Sequence, residues 1–155
     1  GAAQNQWILQ TDADGRVGKD FLAAHVAARV ESNADLFAGW VVPQERNSSF
    51  LSSFEALDVR ALSGAGAASI ALGRPLMCSG ANMAYSKDLY HDSRALDPAA
   101  SVDSGDDMFL LIAARKLKQK IVFLPHREAI VHTGGVGGWR ELLRQRMRWG
   151  GKSVH

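Results

Sequence analysis

The sequence predicts an α/β domain in which helices flank a layered β-sheet. Short β-rich segments alternate with helical segments along the 155 residues, and this alternation is typical of α/β folds. A chain of this length can bury a hydrophobic core within one domain. The content of 46% hydrophobic and 22% charged residues is that of an ordinary globular protein. We therefore expect residues 1–155 to form a single domain.

The N-terminal part of the chain predicts a strand, a turn and a helix. The strand WILQ covers Trp7–Gln10 and runs into an acidic turn that Gly15 closes. Residues 18–32 have the apolar spacing of a helix. The stripe consists of Phe21, Leu22, Val26 and Val30.

The central part predicts further strands around a long helix. Residues 35–43 are β-rich and are expected to end at Pro43. Residues 48–72 form a weakly amphipathic helical stretch, which Gly64 and Gly66 are expected to loosen. The segment PLMCSGANMAYS, residues 75–86, is interpreted as a strand with a break at Gly80.

The C-terminal part predicts two helices and two short strands. Residues 94–105 are interpreted as a polar loop, and residues 108–117 as a helix with a basic end. The later segments are the strands KIVFLP and AIVH, the flexible stretch HTGGVGG and an amphipathic helix over residues 139–149.

Composition excludes several classes of protein and leaves the partner open. No apolar run approaches the roughly 20 residues of a membrane-spanning helix, and the N-terminus has no signal-peptide pattern. The lone Cys78 excludes an internal disulfide and a cysteine-rich zinc site. The net charge is +2, but residues 140–152 carry five cations against one Glu. Such a segment suits nucleic acid, anionic lipid or a phosphorylated ligand.

Asp12 and Asp14 follow the first predicted strand and have two interpretations. A turn can bring both carboxylates near one cation, and hard oxygen ligands suit Mg²⁺ or Mn²⁺ beside a diphosphate. A solvated turn is the commoner use of such a sequence, because Asp and Gly are typical turn residues.

Asp106 and Asp107 precede an apolar helical segment, where one carboxylate is expected to cap the helix. A second carboxylate beside it raises the proton affinity of one of the pair, as a general base near neutral pH requires. The residues alone do not choose between a cap and a base.

The last predicted helix places an amide, a guanidinium and an indole on one face. Gln145, Arg148 and Trp149 stand at i, i+3 and i+4, and together they suit a diphosphate and a sugar ring. Trp139, Leu142, Leu143 and Met147 form a neighbouring stripe that is expected to face the core. The alternative is a basic amphipathic helix at the protein surface.

Other motifs are weaker. The sequence GGKS near the C-terminus lacks the preceding strand of a phosphate-binding loop. His126 and His132 have no further zinc-ligand spacing and are interpreted as structural. His132, at a strand end beside the glycine-rich stretch, has the alternative of reaching a site.

The ordered set QTDADG, MCSGANMAYSK, SGDDMFL and QRMRW resembles the catalytic domain of family 2 glycosyltransferases. The resemblance extends over almost the whole chain. The chain resembles in particular the membrane-associated branch that includes cellulose, chitin and hyaluronan synthases. It implies an α/β fold of the GT-A type and inverting, metal-dependent transfer of a sugar from a nucleotide-diphosphate sugar, with a UDP-sugar as the expected donor. A saccharide or a lipid-linked molecule is the expected acceptor.

The resemblance also implies roles for individual residues. Asp12 and Asp14 match the motif that holds the donor diphosphate and its Mg²⁺ or Mn²⁺, and Asp107 matches the general base. Asp106 stands where the family usually has Glu. Because Asp107 matches the base, we expect Asp106 to be the residue that caps the helix. Residues expected beside the acceptor or the diphosphate are Ser79, Gly80, Asp106, Gln145, Arg148 and Trp149.

The resemblance further implies that the chain is a fragment. The half of the fold that binds the nucleoside precedes the Asp-x-Asp motif in this family, and membrane segments follow the Gln-x-x-Arg-Trp motif. We therefore expect a partial GT-A-like domain that is soluble and inactive alone, from a parent enzyme at the cytoplasmic face of the cell membrane. Its first strand, Trp7–Gln10, would then be an exposed edge that promotes self-association.

The same residues are compatible with two other functions. A different metal-dependent enzyme, transferring nucleotidyl or phosphoryl groups, could use the same carboxylates. A basic module could instead bind nucleic acid or acidic lipid through residues 140–152. The ordered motifs favour the glycosyltransferase, so no nucleic-acid partner is expected.

Overall fold

Seven short strands build two β-sheets within residues 5–44, 48–96 and 106–150, which are the residues that the computed structural model describes. The strands are β1 (Trp7–Gln10), β2 (Arg16–Val17), β3 (Leu36–Gly39), β4 (Val41–Gln44), β5 (Met83–Ser86), β6 (Ile121–Leu124) and β7 (Val131–Gly134). The helices are α1 (Phe21–Ser32), α2 (Phe50–Ala71), α3 (Lys87–Leu96), α4 (Asp106–Lys116) and α5 (Trp139–Gly150). Two 3₁₀ turns cover Gly80–Asn82 and Arg127–Ala129.

Both sheets are mixed. The larger sheet has the strand order β1-β5-β3-β6, in which β5 runs antiparallel to both neighbours and β3 pairs in parallel with β6. The smaller sheet has the order β2-β7-β4, with β2 antiparallel and β4 parallel to β7. Trp40 alone separates β3 from β4, so the chain passes between the sheets at this residue. The predicted α/β class is confirmed.

The core lies on both faces of the larger sheet, because successive side chains of a strand point to opposite faces. Leu36 packs with Met83, Leu110 and Leu111 on the side of α3 and α4. Phe37 belongs to a second cluster, on the side of α1. The larger sheet is therefore covered by helices on both faces.

The first strand lies at the edge of the larger sheet, as the sequence predicts. Among the described residues, β1 pairs with β5 alone, with Trp7 opposite Ser86 and Gln10 opposite Met83. Self-association through this edge stays a prediction. Within residues 5–44, 48–96 and 106–150, no helix has the length and apolar character needed to cross a bilayer.

Helix α1 forms where it is predicted, but its buried face is different. Phe21 is buried together with His25 and Ala28. Leu22, Val26 and Val30 of the predicted stripe are 63%, 55% and 80% exposed. The buried side chains lie on the face that meets β6 and the 3₁₀ turn at Arg127–Ala129, and this contact rather than residue hydrophobicity selects the face.

The expected end of a strand at Pro43 is wrong, whereas the expected loosening of α2 at Gly64 and Gly66 stays a prediction. Helix α2 is continuous over Phe50–Ala71, and Gly64 and Gly66 do not interrupt it. A Cβ atom at Gly66 would lie 2.9 Å from the Met77 carbonyl oxygen, so glycine permits a close approach there. Strand β4 continues through Pro43, because it is an edge strand and the missing N–H of proline removes no bond within the sheet.

The segment at residues 75–86 contains less strand than predicted. Only Met83–Ser86 is extended in a sheet, and Gly80–Asn82 forms a 3₁₀ turn instead of a simple break. Helix α3 was not predicted, and it extends into the expected loop as far as Leu96. Residues 97–105 of that loop lie outside the described residues.

Helix α5 forms as predicted, but most of its expected core stripe is exposed. Leu142 is buried, whereas Trp139, Leu143 and Met147 face solvent. Arg146 and Trp149 of α5 contact Asp58 and Val59 of α2, and an isolated helical pattern does not specify such partners.

Candidate active site

A cavity of about 500 Å³ brings together residues that are far apart in the sequence. It is lined by the turn after β1, the 3₁₀ turn before β5, the start of α4 and one face of α5. Its walls include every predicted site residue whose side chain is described, namely Asp12, Asp14, Ser79, Gly80, Asp107, Gln145, Arg148 and Trp149. Asp106 begins α4, but its side chain lies outside the described residues, so its role as a cap stays a prediction.

The Asp107 carboxylate is held in place by two backbone N–H groups. Gly80 N donates to Asp107 Oδ2 at 3.1 Å, and Met108 N donates to Oδ1 at 2.9 Å. The position at the start of α4 also favours a negative charge, because the helix dipole is positive there. Each carboxylate oxygen has two lone pairs, so Asp107 can accept a further hydrogen bond from a hydroxyl group.

The 3₁₀ turn at Gly80–Asn82 forms the floor of the cavity beside Asp107. A Cβ atom at Gly80 would lie 3.3 Å from the Asp107 Cβ atom and 3.2 Å from Gln10 Nε2, so glycine allows this approach. Asn82 is fully buried and donates from Nδ2 to the carbonyl oxygens of Trp40 at 2.8 Å and Ala129 at 2.7 Å. These bonds fix the floor to the junction of the two sheets.

Cys78 also lines the cavity, but it is not an activated nucleophile. Burial and, to a smaller extent, the negative charge of Asp107 raise the pKa of the Cys78 thiol to about 12. Only a thiolate attacks efficiently as a nucleophile. The thiol therefore stays protonated near neutral pH and is not suited to nucleophilic catalysis.

Asp12 and Asp14 lie in an exposed turn at the edge of the cavity. Gly15 N donates to the Asp12 carbonyl oxygen at 2.9 Å and closes the turn, as predicted. Asp14 Oδ2 accepts a hydrogen bond of 3.2 Å from Gly134 N. The two aspartates thus form a turn and also present carboxylates to the cavity.

These carboxylates fit a divalent cation only if other ligands complete its coordination. Among the described residues, no three His, Cys, Asp or Glu side chains are grouped so as to hold a metal ion. Protein sites for Mg²⁺ commonly use one or two carboxylates, with substrate phosphates and water as the remaining ligands. Asp12 and Asp14 are suited to a cation that arrives with a diphosphate.

Helix α5 presents the predicted face of Gln145, Arg148 and Trp149 to the cavity. Trp149 packs against the buried cluster of Val41, Val59 and Ala81. The Arg146 guanidinium lies 4.2 Å from the centre of the Trp149 ring, and Arg146 Nε donates to Asp58 Oδ2 of α2 at 2.7 Å. This contact between α2 and α5 holds the indole beside the cavity.

Comparison with known sequences decides the family. A sequence model described as glycosyl transferase family group 2 matches residues 7–152. The chain belongs to this family. No curated protein matches the sequence. Family membership supports glycosyltransferase activity and favours it over the nucleotidyl-transfer and nucleic-acid-binding alternatives.

The glycosyltransferase cavity contains one buried acid that sequence reasoning missed. Glu55 of α2 is 3% exposed and lines the cavity. Both its carboxylate oxygens lie near Val136 N, at 3.0 and 3.1 Å. The sequence contains one signal for this acid. Glu55 lies four residues before Val59, so a charged residue falls on the buried face of α2.

A second groove, of about 390 Å³, shares no lining residue with this cavity. Its charged side chains are Arg16, Lys19 and Arg127 together with Asp20 and Glu128, and His132 also lines it. His132 therefore belongs to the second groove and does not line the cavity that contains Asp107.

Proposed function

We propose that this glycosyltransferase domain transfers a sugar from a nucleotide-diphosphate sugar, a UDP-sugar in the first instance, to an acceptor hydroxyl with inversion at the anomeric carbon. The observation that carries the proposal is the convergence, in one cavity, of the Asp12–Asp14 turn, the Asp107 carboxylate and the polar face of α5. A single displacement requires a base on the acceptor side and a group that stabilises the leaving diphosphate.

In the proposed reaction the acceptor oxygen forms a bond to the anomeric carbon while the bond from that carbon to the diphosphate oxygen breaks. The acceptor proton passes to Asp107, and the electron pair of the broken bond leaves with the diphosphate. Asp107 suits this role because backbone N–H groups of Gly80 and Met108 fix its orientation. Gly80 leaves space beside it for a sugar ring.

On the donor side, Asp12 and Asp14 are the residues that would hold Mg²⁺ or Mn²⁺ together with the diphosphate. When bound, such a cation neutralises charge that develops on the leaving group. Gln145 and Arg148 can donate hydrogen bonds to diphosphate oxygens, and the Trp149 ring offers an apolar surface to a sugar.

A donor screen on the full-length protein tests the proposal. UDP-sugars and other nucleotide sugars are incubated with saccharide or lipid-linked acceptors and Mn²⁺, and the product anomer is assigned by proton NMR. We expect release of nucleoside diphosphate and a product of inverted configuration. Release of pyrophosphate with a nucleotidylated acceptor would instead support the nucleotidyl-transfer alternative.

The face of α5 can be tested with a matched pair of arginines. Arg148→Ala is expected to lower transfer about tenfold or more, because a hydrogen bond to a charged group typically contributes this order of free energy. Arg144→Ala removes an exposed arginine that does not line the cavity, so transfer should change less than about twofold. Initial rates at fixed donor concentration provide the measurement, and equal losses in both variants would contradict the assignment.

We also propose that the domain acts at the cytoplasmic face of the cell membrane, in the synthesis of a polysaccharide or a glycolipid. An exposed apolar surface on α2 and α5 supports this part of the proposal. The rings of Phe50, Phe54 and Trp139 lie within 5.9 to 6.3 Å of one another. Leu143 and Met147 extend the surface along α5, with Arg140 beside it. Aromatic and basic side chains in this arrangement suit the interface of an anionic bilayer.

Vesicle binding by the 155-residue protein tests the membrane proposal. We expect co-sedimentation with vesicles containing phosphatidylglycerol, and substantial loss of it in the Phe54→Ser/Trp139→Ser variant, because the inserted apolar area falls. The matched control is Leu22→Ser/Val26→Ser, which removes exposed apolar side chains from α1. Equal binding by all three proteins would contradict the assigned surface.

A further inference from the structure

The segment that leads into α5 is rich in glycine and is fixed by carboxylates. Gly134 ends β7, and residues 135–138, Gly-Val-Gly-Gly, connect it to α5. Asp14 accepts a hydrogen bond from Gly134 N, Glu55 from Val136 N and Glu141 from Gly137 N at 2.7 Å. Glycine has the largest backbone freedom of any residue. The segment therefore depends on these bonds for a defined path.

Glu55 differs from the other two acids because it is buried. A carboxylate is costly to bury unless it is hydrogen-bonded, and Val59, one turn further along α2, shows that an apolar residue fits this face. The bond from Val136 N to an ionised carboxylate is also stronger than a bond between neutral groups. A carboxylate is therefore accommodated at this buried position because it binds Val136, which lies in a distant segment of the chain.

Two acids on adjacent turns of α2 bind α5 and the segment that leads into it. Glu55 and Asp58 stand at i and i+3, which places them side by side on the helix surface. Glu55 binds Val136, three residues before α5 begins, and Asp58 binds Arg146 inside α5. The two bonds fix α5 before its first residue and again near the residues that face the cavity.

We propose that Glu55 is a positioning residue for α5. By holding Val136 N it sets the start of the helix, so that Gln145, Arg148 and Trp149 face Asp107 across the cavity. It acts through the backbone of the glycine-rich segment. Its effect on sugar transfer rests on the proposed function, whereas its effect on the segment and on α5 does not.

Amide hydrogen exchange in the 155-residue protein tests the contact without donor or acceptor. In Glu55→Leu, the Val136 amide should exchange about tenfold faster or more, as expected for loss of a charged hydrogen-bond partner, and the Trp149 indole resonance should shift. Glu55→Gln keeps an oxygen acceptor, so Val136 should stay within about threefold of wild type. Amides of β3 should be unchanged in both variants. Should Glu55→Leu fail to fold, Val136→Pro removes the donor instead and should shift the same indole resonance.

Transfer by the full-length protein separates positioning from direct catalysis. Glu55→Leu should lower kcat about tenfold or more and also weaken donor binding, because α5 carries the residues proposed to hold the donor diphosphate. Glu55→Gln should restore most of both. Equal losses of kcat in the Gln and Leu variants would overturn the proposal, because a base or metal ligand cannot be replaced by an amide. Unchanged Val136 exchange in Glu55→Leu would overturn it even in a protein that transfers no sugar.

Discussion

Asp107→Asn is expected to reduce sugar transfer by the full-length protein to below about a hundredth of the wild-type rate, because a general base typically contributes about 10²–10⁴-fold. Asparagine retains one oxygen that can accept the hydrogen bond from Gly80 N, so the floor of the cavity should keep its shape. Donor affinity should be nearly unchanged, since the base acts mainly in the transition state. Steady-state rates and a separate donor titration provide the two measurements.

The matched control for this substitution is Asp92→Asn. Asp92 is exposed on α3 and does not line the cavity, so its variant should transfer sugar at close to the wild-type rate. Turnover by Asp107→Asn above about a hundredth of wild type would reject the assignment of the base.

Asp14→Asn is the second substitution for which we expect a large effect. It preserves an oxygen that can accept from Gly134 N but removes the charge that a divalent cation requires. We expect transfer to fall about a hundredfold or more, because charge stabilisation at a leaving group is commonly worth several kcal/mol. Rates measured across a Mn²⁺ series should no longer rise toward the wild-type level.

Asp20→Asn is the control for Asp14, because Asp20 is exposed and lines the second groove. It should leave both the rate and its dependence on Mn²⁺ unchanged. Full transfer by Asp14→Asn, or by the wild-type protein in excess EDTA, would show that the Asp12–Asp14 turn holds no catalytic cation.

The sequence predicts elements that depend mainly on local pattern. The strand at Trp7–Gln10, the long helix α2 and the final helix α5 form where their apolar runs and spacing place them. The grouping of the cavity residues could also be predicted from the sequence, because the ordered motifs imply that Asp12, Asp107 and the α5 residues lie close together. Their common location in one cavity agrees with that expectation.

Features that depend on distant partners were not predicted. The exposed stripe of α1 and the exposed side of α5 are as apolar as many buried faces, so hydrophobicity does not reveal which side meets the sheet. The strand through Pro43 is compatible with proline only because β4 lies at a sheet edge. The proposed role of Glu55 depends on its hydrogen bond with Val136, which lies far away in the sequence. Sequence spacing within α2 cannot identify that partner.

The central claim is that the cavity between Asp14, Asp107 and α5 is where the donor binds. Photo-crosslinking of the full-length protein with a UDP-sugar analogue, followed by mass spectrometry, tests this most directly. We predict labelling within Cys78–Asn82 and Gln145–Trp149, with loss of the label when unmodified UDP-sugar competes. Competed labelling confined to Arg127–His132 of the second groove would contradict the account.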